Sequence, residues 1–268
     1  VAACASLAAE RHGRRARVAI ESPAYGVFES AARWCGAELT SVERSREDGW
    51  RLDPERVAAA LDSGADVLCL TNLQNPTGAP LAADDLADLR ALAERHGAWI
   101  VLDEVYRDFL PGPVASDYVS GARVVCTSSM TKCYGVGPGR CGWVAGPADV
   151  LERADAIVEI THGDDPLPSV DVANRALAVA DRLLERGRDV ARRGRRVMDA
   201  WIGSTPGVSW VPPAGGLSGL VRVDGLTDSL DVARRLRSDL DVQVVPGVFF
   251  GADDSLRISF GLPPARLQ

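Results

Sequence analysis

The chain has 268 residues, of which 46% are hydrophobic and 25% charged, the composition of an ordinary soluble globular protein. This length suits one large domain, or a large domain with a smaller one. The net charge of -7 and the pI near 5.1 argue against nucleic acid or an anionic membrane as the main partner. No apolar run is long enough to span a membrane.

The beginning of the chain has the pattern of a helix that is already under way. Val1, Cys4, Leu7 and Ala8 fall on one helical face, and no starting Met precedes them. The same stretch lacks a basic segment followed by an apolar core, so it does not have the pattern of a signal peptide. We therefore expect an N-terminal piece to be absent from this chain.

The six cysteines have neither metal-ligand nor redox-motif spacing. They occupy positions 4, 35, 69, 126, 133 and 141, and no two of them form a CxxC pair. This pattern favours reduced, structural cysteines in a cytoplasmic protein, and it predicts no metal site.

Short apolar runs alternate with helical patterns through the first half of the chain. The predicted strands are residues 17–20, 38–42, 66–70, 99–102, 123–127 and 143–145. The predicted helices are residues 29–35, a helix that starts at Asp53-Pro54, and residues 84–95. Several strands are apolar on both faces, which is typical of a parallel sheet covered by helices on both sides. The alternation therefore predicts an α/β layered domain.

The pattern changes from about Pro166. The predicted elements there are one long helix over 169–201, strands near 208–211 and 220–223, a helix over 229–240, and strands over 242–245 and 256–260. Such runs favour a smaller α+β domain packed on the first. We therefore divide the chain into residues 1–165 and 166–268.

Two polar clusters follow apolar strands, where ligands bind in parallel sheets. The first is the segment 72–78, which contains Asn75-Pro-Thr-Gly; taken alone, this tetrapeptide indicates a turn. The second is Asp103-Glu-Val-Tyr106, and acidic residues in such a position also occur in metal and nucleotide sites.

A third cluster, over residues 128–143, is rich in hydroxyls and glycines. It places Lys132 and Arg140 eight residues apart, directly after an apolar strand. Glycines let the backbone approach a ligand closely, and hydroxyls with an arginine suit a phosphate. The alternative interpretation is a glycine-rich surface loop with two solvated cations.

Taken together, the clusters resemble those of the class I/II pyridoxal-phosphate (PLP) aminotransferases, the aspartate-aminotransferase fold family. Their order is Asn75, then Asp103-x-x-Tyr106, then Ser129-x-x-Lys132-x7-Arg140. The resemblance covers about residues 18 to 260. It implies the PLP-dependent transferase fold (fold type I), in which helices sandwich a mostly parallel central sheet. Residues 1–165 would form the PLP-binding large domain and residues 166–268 the small C-terminal α+β domain.

The resemblance also implies roles for individual residues. Lys132 would form the Schiff base with PLP and later shuttle the proton at the substrate Cα. Asp103 would pair with the pyridine nitrogen and keep it protonated. Asn75 and Tyr106 would hydrogen-bond the phenolic oxygen of the ring. Lys132, Asp103 and Tyr106 are thus the predicted catalytic residues.

The remaining implied roles concern the phosphate, the ring face and the substrate. Ser129 and Arg140 would hold the phosphate. Tyr25 would stack on the cofactor ring, although alone it also suits a half-buried turn residue. Arg257, together with Asn75, would bind the α-carboxylate of the substrate, although an arginine in an apolar strand can also form a structural ion pair.

Some features depart from the family pattern. Thr131 stands where the family often has Ser. The family's glycine-containing phosphate loop is expected before residue 1. No second arginine can be assigned to a side-chain carboxylate, and Arg153, Arg192 and Arg193 are predicted on solvated helix faces.

The resemblance implies transfer of an amino group between an L-amino acid and a 2-oxo acid by a homodimer. One alternative keeps PLP but changes the reaction to that of a lyase or cyclase acting on an amino acid. Another is the aminotransferase-like effector domain of a transcription regulator, and a third is an inactive or incomplete paralogue. The sequence does not name the donor, the acceptor or the pathway.

Overall fold

The computed structural model describes residues 1–161, 163 and 166–267. Asp165, where the predicted first domain ends, lies outside the described residues. Within the described ranges, every helix is too short or too polar to cross a lipid bilayer.

A six-stranded sheet forms the centre of the first half of the chain. Its strands are β1 (Arg17–Ser22), β2 (Glu38–Glu43), β3 (Val67–Thr71), β4 (Trp99–Asp103), β5 (Val124–Ser129) and β6 (Gly142–Ala145). The order across the sheet is β2-β1-β3-β4-β5-β6. All neighbours are parallel except β5 and β6. The predicted α/β class with a mostly parallel sheet is confirmed.

Helices cover both faces of this sheet, which explains why its strands are apolar on both sides. They are α1 (Ala2–His12), α2 (Val27–Trp34), α3 (Pro54–Asp62), α4 (Ala83–His96) and α5 (Ala148–Thr161). Leu68 and Leu70 of β3 pack in the core formed with α3 and α4. Val67 and Cys69 of the same strand pack in the core formed with α1, α2 and α5. Alternate residues of one strand therefore pack in two different hydrophobic cores, one on each face of the sheet.

Local signals place most of these elements correctly. The side chain of Asp53 caps α3 by accepting the N–H of Glu55 at 2.9 Å, and Pro54 is the first helical residue. Helix α5 was not among the predicted elements.

The second half of the chain forms a four-stranded antiparallel sheet with three helices. The elements are α6 (Leu167–Leu177), α7 (Ala180–Ser204), β7 (Val208–Trp210), β8 (Ser218–Val223), α8 (Ser229–Leu240), β9 (Val245–Pro246) and β10 (Ser255–Ser259). The strand order is β7-β8-β10-β9. The predicted α+β composition is confirmed.

Two predicted elements in this half are wrong in extent. The single helix over 169–201 is two helices, because Val179 has φ -129° and ψ 24° and leaves the helical conformation. The strand predicted over 242–245 is reduced to Val245–Pro246, because Asp241 ends α8 in the left-handed conformation and the N–H of Val242 still donates to the Leu236 carbonyl of that helix at 3.0 Å.

The six cysteines are all free, and Cys35 is the exposed one. The three arginines expected on helix faces do lie there. Arg192 and Arg193 pair with Asp189 of their own helix, and Arg153 pairs with Glu10 of α1.

Candidate active site

A cavity of about 380 Å³ opens at the carboxyl ends of β3, β4 and β5. This volume falls in the range of about 300–1,000 Å³ that is typical of small-molecule sites. The structure brings all eight side chains singled out from the sequence to its wall: Tyr25, Asn75, Asp103, Tyr106, Ser129, Lys132, Arg140 and Arg257.

The register of the parallel strands explains why residues distant in sequence meet here. Asp103, the last residue of β4, lies between Thr71 of β3 and Thr127 of β5. The backbone N–H of Asn72 donates to the Asp103 carbonyl at 2.9 Å, which ties the loop after β3 to the end of β4. The N–H of Glu104 in turn donates to the Thr127 carbonyl at 2.7 Å. The three strand ends are therefore one hydrogen-bonded platform.

Lys132 lies in a tight turn directly after β5. The Met130 N–H donates to the Cys141 carbonyl at 3.1 Å, and the Val136 N–H donates to the Met130 carbonyl at 2.9 Å. The turn places the Lys132 ammonium 5.9 Å from the centre of the Tyr106 ring. Lys132 is also the only lysine in the whole sequence.

The surroundings of Lys132 favour its neutral form. Loss of solvation lowers the pKa of its amine, and the positive charges of Arg257 and Arg140 lower it further. The negative charge of Asp103 acts in the opposite direction. A lysine in such a setting is more readily a nucleophile or a base than a solvated one.

Asp103 and Tyr106 are half-buried in the wall of the cavity. The Asp103 carboxylate accepts the N–H of Val105 at 2.9 Å, and burial raises its pKa in spite of that bond and of Lys132. Burial also raises the pKa of Tyr106 to about 12, against the effect of Arg257. The phenol therefore stays protonated at neutral pH and can donate a hydrogen bond.

Arg140 follows a short helical turn, Gly137–Gly139, and has a left-handed backbone with φ 46°. A Cβ on Gly139 would lie 3.1 Å from the Val136 side chain and 3.2 Å from that of Val172. The turn thus packs closely against α6 at this glycine, where a larger residue would push the two valine side chains aside by a few tenths of an ångström. At the end of β5, the Ser129 hydroxyl accepts the N–H of Thr131 at 3.3 Å.

Arg257 reaches the cavity from β10, one of the two central strands of the second sheet. Its guanidinium donates to the Asn75 side-chain oxygen at 3.1 Å and lies 5.0 Å from the centre of the Phe250 ring. Arg257 forms no ion pair with a carboxylate within the part of the chain that the structure describes. The structural ion pair considered above is therefore not formed with any described residue.

Tyr25 lies at the rim of the cavity, in the loop after β1, and is 46% exposed. The neighbouring Ala24 donates its N–H to the carbonyl of Phe250 at 3.2 Å, which joins this loop to the short helical turn Gly247–Phe250 in the second half of the chain. Four further residues line the cavity and were not assigned from the sequence: Val105, Thr127, Ser128 and Thr131. These four residues lie next to strand ends, and that position is the feature of the sequence that could have identified them.

Among described residues, no three His, Cys, Asp or Glu side chains are grouped to hold a metal ion.

Residues 2–268 match the family model described as aminotransferase class I and II. Arginine–pyruvate transaminase AruH of Pseudomonas aeruginosa is 29% identical over 91% of this chain and 64% of its own length. Histidinol-phosphate aminotransferase of Symbiobacterium thermophilum is 30% identical over 92% of this chain and 66% of its own length. Capreomycidine synthase of Streptomyces vinaceus is 29% identical over 94% of this chain and 65% of its own length. The chain thus spans slightly less than two thirds of these relatives.

Solved structures give the same result. A PLP-dependent aminotransferase from Streptococcus suis superposes with a TM-score of 0.87 at 28% identity, over 94% of this chain and 67% of that one. The aspartate aminotransferase of Thermus thermophilus with maleate gives 0.86 at 26% identity, with the same coverage. On fold, site geometry and sequence together, the chain belongs to the class I and II aminotransferase family.

Proposed function

We propose that this chain carries the cofactor site and reaction centre of a PLP-dependent aminotransferase. The reaction moves an amino group from an L-amino acid to a 2-oxo acid, so that donor and acceptor exchange their functional groups. The observation that carries the proposal is the convergence of Lys132, Asp103 and Arg257 on one cavity. The aminotransferases among the relatives and solved structures support transamination over a lyase, a cyclase or a transcription regulator.

The residues of the cavity fit PLP. Asp103 is a half-buried carboxylate that accepts the N–H of Val105, and a protonated pyridine nitrogen is the kind of group that would balance its charge. Asn75 and Tyr106 present an amide and a protonated phenol to the phenolic oxygen of the ring. Tyr25 at the rim has an aromatic face for the ring. Each of these contacts would orient the cofactor.

The phosphate and the covalent attachment have their own side chains. Ser129 and Arg140 offer a hydroxyl and a planar guanidinium, which together suit a phosphate. Lys132 offers an amine whose pKa is lowered by its surroundings. As the sole lysine of the chain, it is the one side-chain amine able to hold the cofactor aldehyde.

When bound, PLP supplies an electron-withdrawing ring that weakens the bonds at the substrate Cα. The protein supplies position and proton transfer. Arg257, held by Asn75, would bind the α-carboxylate bidentately and thereby orient the Cα–H bond. The Lys132 Nζ would accept the proton from the substrate Cα and later release it. The lowered pKa of this amine favours both transfers. Asp103 would keep the positive charge on the ring nitrogen.

We also propose two domains, residues 1–165 and 166–268, and a cytoplasmic homodimer. The two separate sheets support the division, since each lies wholly within one part. Exposed apolar side chains support a protein–protein contact: Phe249 and Tyr25 border a groove of about 620 Å³ beside the cavity.

The test is a titration of the PLP-loaded chain with single amino acids, without an acceptor. We expect one or more donors to convert the lysine-bound cofactor to its amine form, with release of a 2-oxo acid in equal amount. Adding a second 2-oxo acid should then restore the starting spectrum. Release of ammonia or an olefinic product in place of this cycle would contradict transamination, and Lys132→Ala is the inactive control.

A further inference from the structure

A buried polar network lies next to the cavity without lining it. We call it the Asp117 network, and its members are Asn72, Glu104, Arg107, Ser116 and Asp117. Asp117 is in the middle of segment 111–123, which has no regular secondary structure and connects the turn after β4 to β5. Long irregular segments inside a compact domain are commonly functional.

Asp117 bonds to three parts of the fold at once. Its carboxylate accepts the Asn72 side-chain amide at 2.9 Å and the Arg107 guanidinium at 3.0 Å. Its backbone N–H donates to the Glu104 carboxylate, and its carbonyl accepts the Arg90 guanidinium of α4. The Ser116 hydroxyl adds a bond of 2.7 Å to Glu104.

The bonded residues belong to the two loops that carry the cavity side chains. Asn72 precedes Asn75 by three residues, and its side-chain oxygen accepts the N–H of Leu81 at 3.2 Å. Asn72 thus holds both ends of the loop that bears Asn75. Glu104 directly follows Asp103, and Arg107 directly follows Tyr106.

Burial makes the hydrogen bonds of the Asp117 network costly to lose. Asn72 is 3% exposed and Glu104 is 4% exposed, whereas the Asp117 side chain is 14% exposed. A buried polar group that loses its partner costs far more than an exposed one. Burial also raises the pKa of Glu104, and the hydrogen bonds from the Ser116 hydroxyl and the Asp117 N–H act against that rise.

We propose that Asp117 is a positioning residue, which aligns Asn75 and the Asp103–Tyr106 turn for PLP through Asn72 and Arg107. This inference rests on the proposed function, since it concerns the same cavity. Neither Asp117 nor its partners line the cavity, so Asp117 acts through the residues that do. A displacement of either loop would move the groups facing the ring without removing any of them.

The experiment compares PLP binding by the wild-type chain, Asp117→Asn and Asp117→Ala. Asparagine keeps the shape and one acceptor oxygen, whereas alanine removes both acceptors. We expect the Kd for PLP to rise about tenfold in Asp117→Ala and less in Asp117→Asn, since bonds to a charged group are lost. We also expect the pH midpoint of the lysine-bound absorbance band to shift, because Asp103 and Lys132 change their separation. Melting temperatures are measured with and without PLP.

The matched control is Glu10→Ala. Glu10 also holds an arginine through two bonds, to Arg153 at 2.6 and 2.8 Å, but it joins α1 to α5 away from the cavity. Asp117 variants that melt lower but keep the wild-type Kd and midpoint would overturn the inference, because Asp117 would then be only structural. If Asp117→Ala does not fold, the Kd for PLP and the pH midpoint of Asp117→Asn test the inference. A wild-type chain without the lysine-dependent band would instead refute the proposed function itself.

Discussion

The Asp103 side chain suits a cofactor, but in the PLP-free chain it lowers the free energy of unfolding when it is charged. Its pKa is higher in the folded chain than its ordinary value of 3.8, chiefly because of burial. A carboxyl with a raised folded pKa favours folding while it is protonated. The free energy of unfolding therefore falls as the pH rises from the unfolded pKa through the folded one.

We accordingly expect Asp103→Asn to raise the melting temperature of the PLP-free chain at neutral pH and to flatten its decline as the pH rises from 3.8 through the folded pKa. Asparagine keeps the shape and can still accept the Val105 N–H, but it carries no charge to desolvate. The Kd for PLP should rise about 100-fold, as expected when one partner of a buried ion pair is lost. Thermal melts across this pH range and PLP titration check both parts. A variant that is less stable at every pH would contradict the assignment of Asp103.

At the residue scale, the sequence identified the side chains that face the cavity better than those that support them. Motif residues such as Asp103 and Lys132 lie at or just after strand ends, and strand ends are recognisable from hydrophobic runs. The Asp117 network was not foreseen. Its bond from Asn72 to Asp117 joins residues 45 positions apart, and no periodicity in one sequence encodes such a contact.

At the scale of elements, helix α7 is in contact with both halves of the site. A Cβ at Gly187 would overlap the carbonyl oxygen of Cys133, next to Lys132. A Cβ at Gly194 would overlap the carbonyl oxygen of Phe260, just after the strand of Arg257. The same helix contains Gly203, where a Cβ would meet nothing within 4 Å.

These three glycines give a matched set of substitutions. We expect Gly187→Ala and Gly194→Ala each to lower the free energy of unfolding by about 1–3 kcal/mol, because the backbone must move apart. Gly203→Ala should raise it by up to about 1 kcal/mol, since alanine is the better helix former. Denaturant unfolding of the three variants tests this. A gain in stability at all three positions would contradict the close packing of α7.

The boundaries of the long helical region could not be predicted, for a physical reason. No Gly or Pro lies at the break between α6 and α7, where Ala178 and Val179 have ordinary helix-compatible side chains. The break allows Val172 of α6 to pack on Gly139 while α7 passes beneath the Lys132 turn. Packing of this kind overrides local propensity and is not visible in a single sequence.

At the scale of the whole molecule, the alternation of strands and helices was enough to predict the α/β sheet and its ligand-binding edge. It could not show that Arg257, from the second sheet, meets Asn75, from the loop after β3. That contact joins residues 182 positions apart and depends on how the two sheets pack. The division at residue 165 stays a prediction.

The sole lysine makes the central claim directly testable. The chain is incubated with PLP, reduced with borohydride, digested and analysed by mass spectrometry, with Lys132→Arg as the control. The account predicts one reduced cofactor adduct on the peptide that contains Lys132, and none in the variant. An unmodified Lys132 peptide, or an adduct only at the N-terminal amine of Val1, would contradict the account.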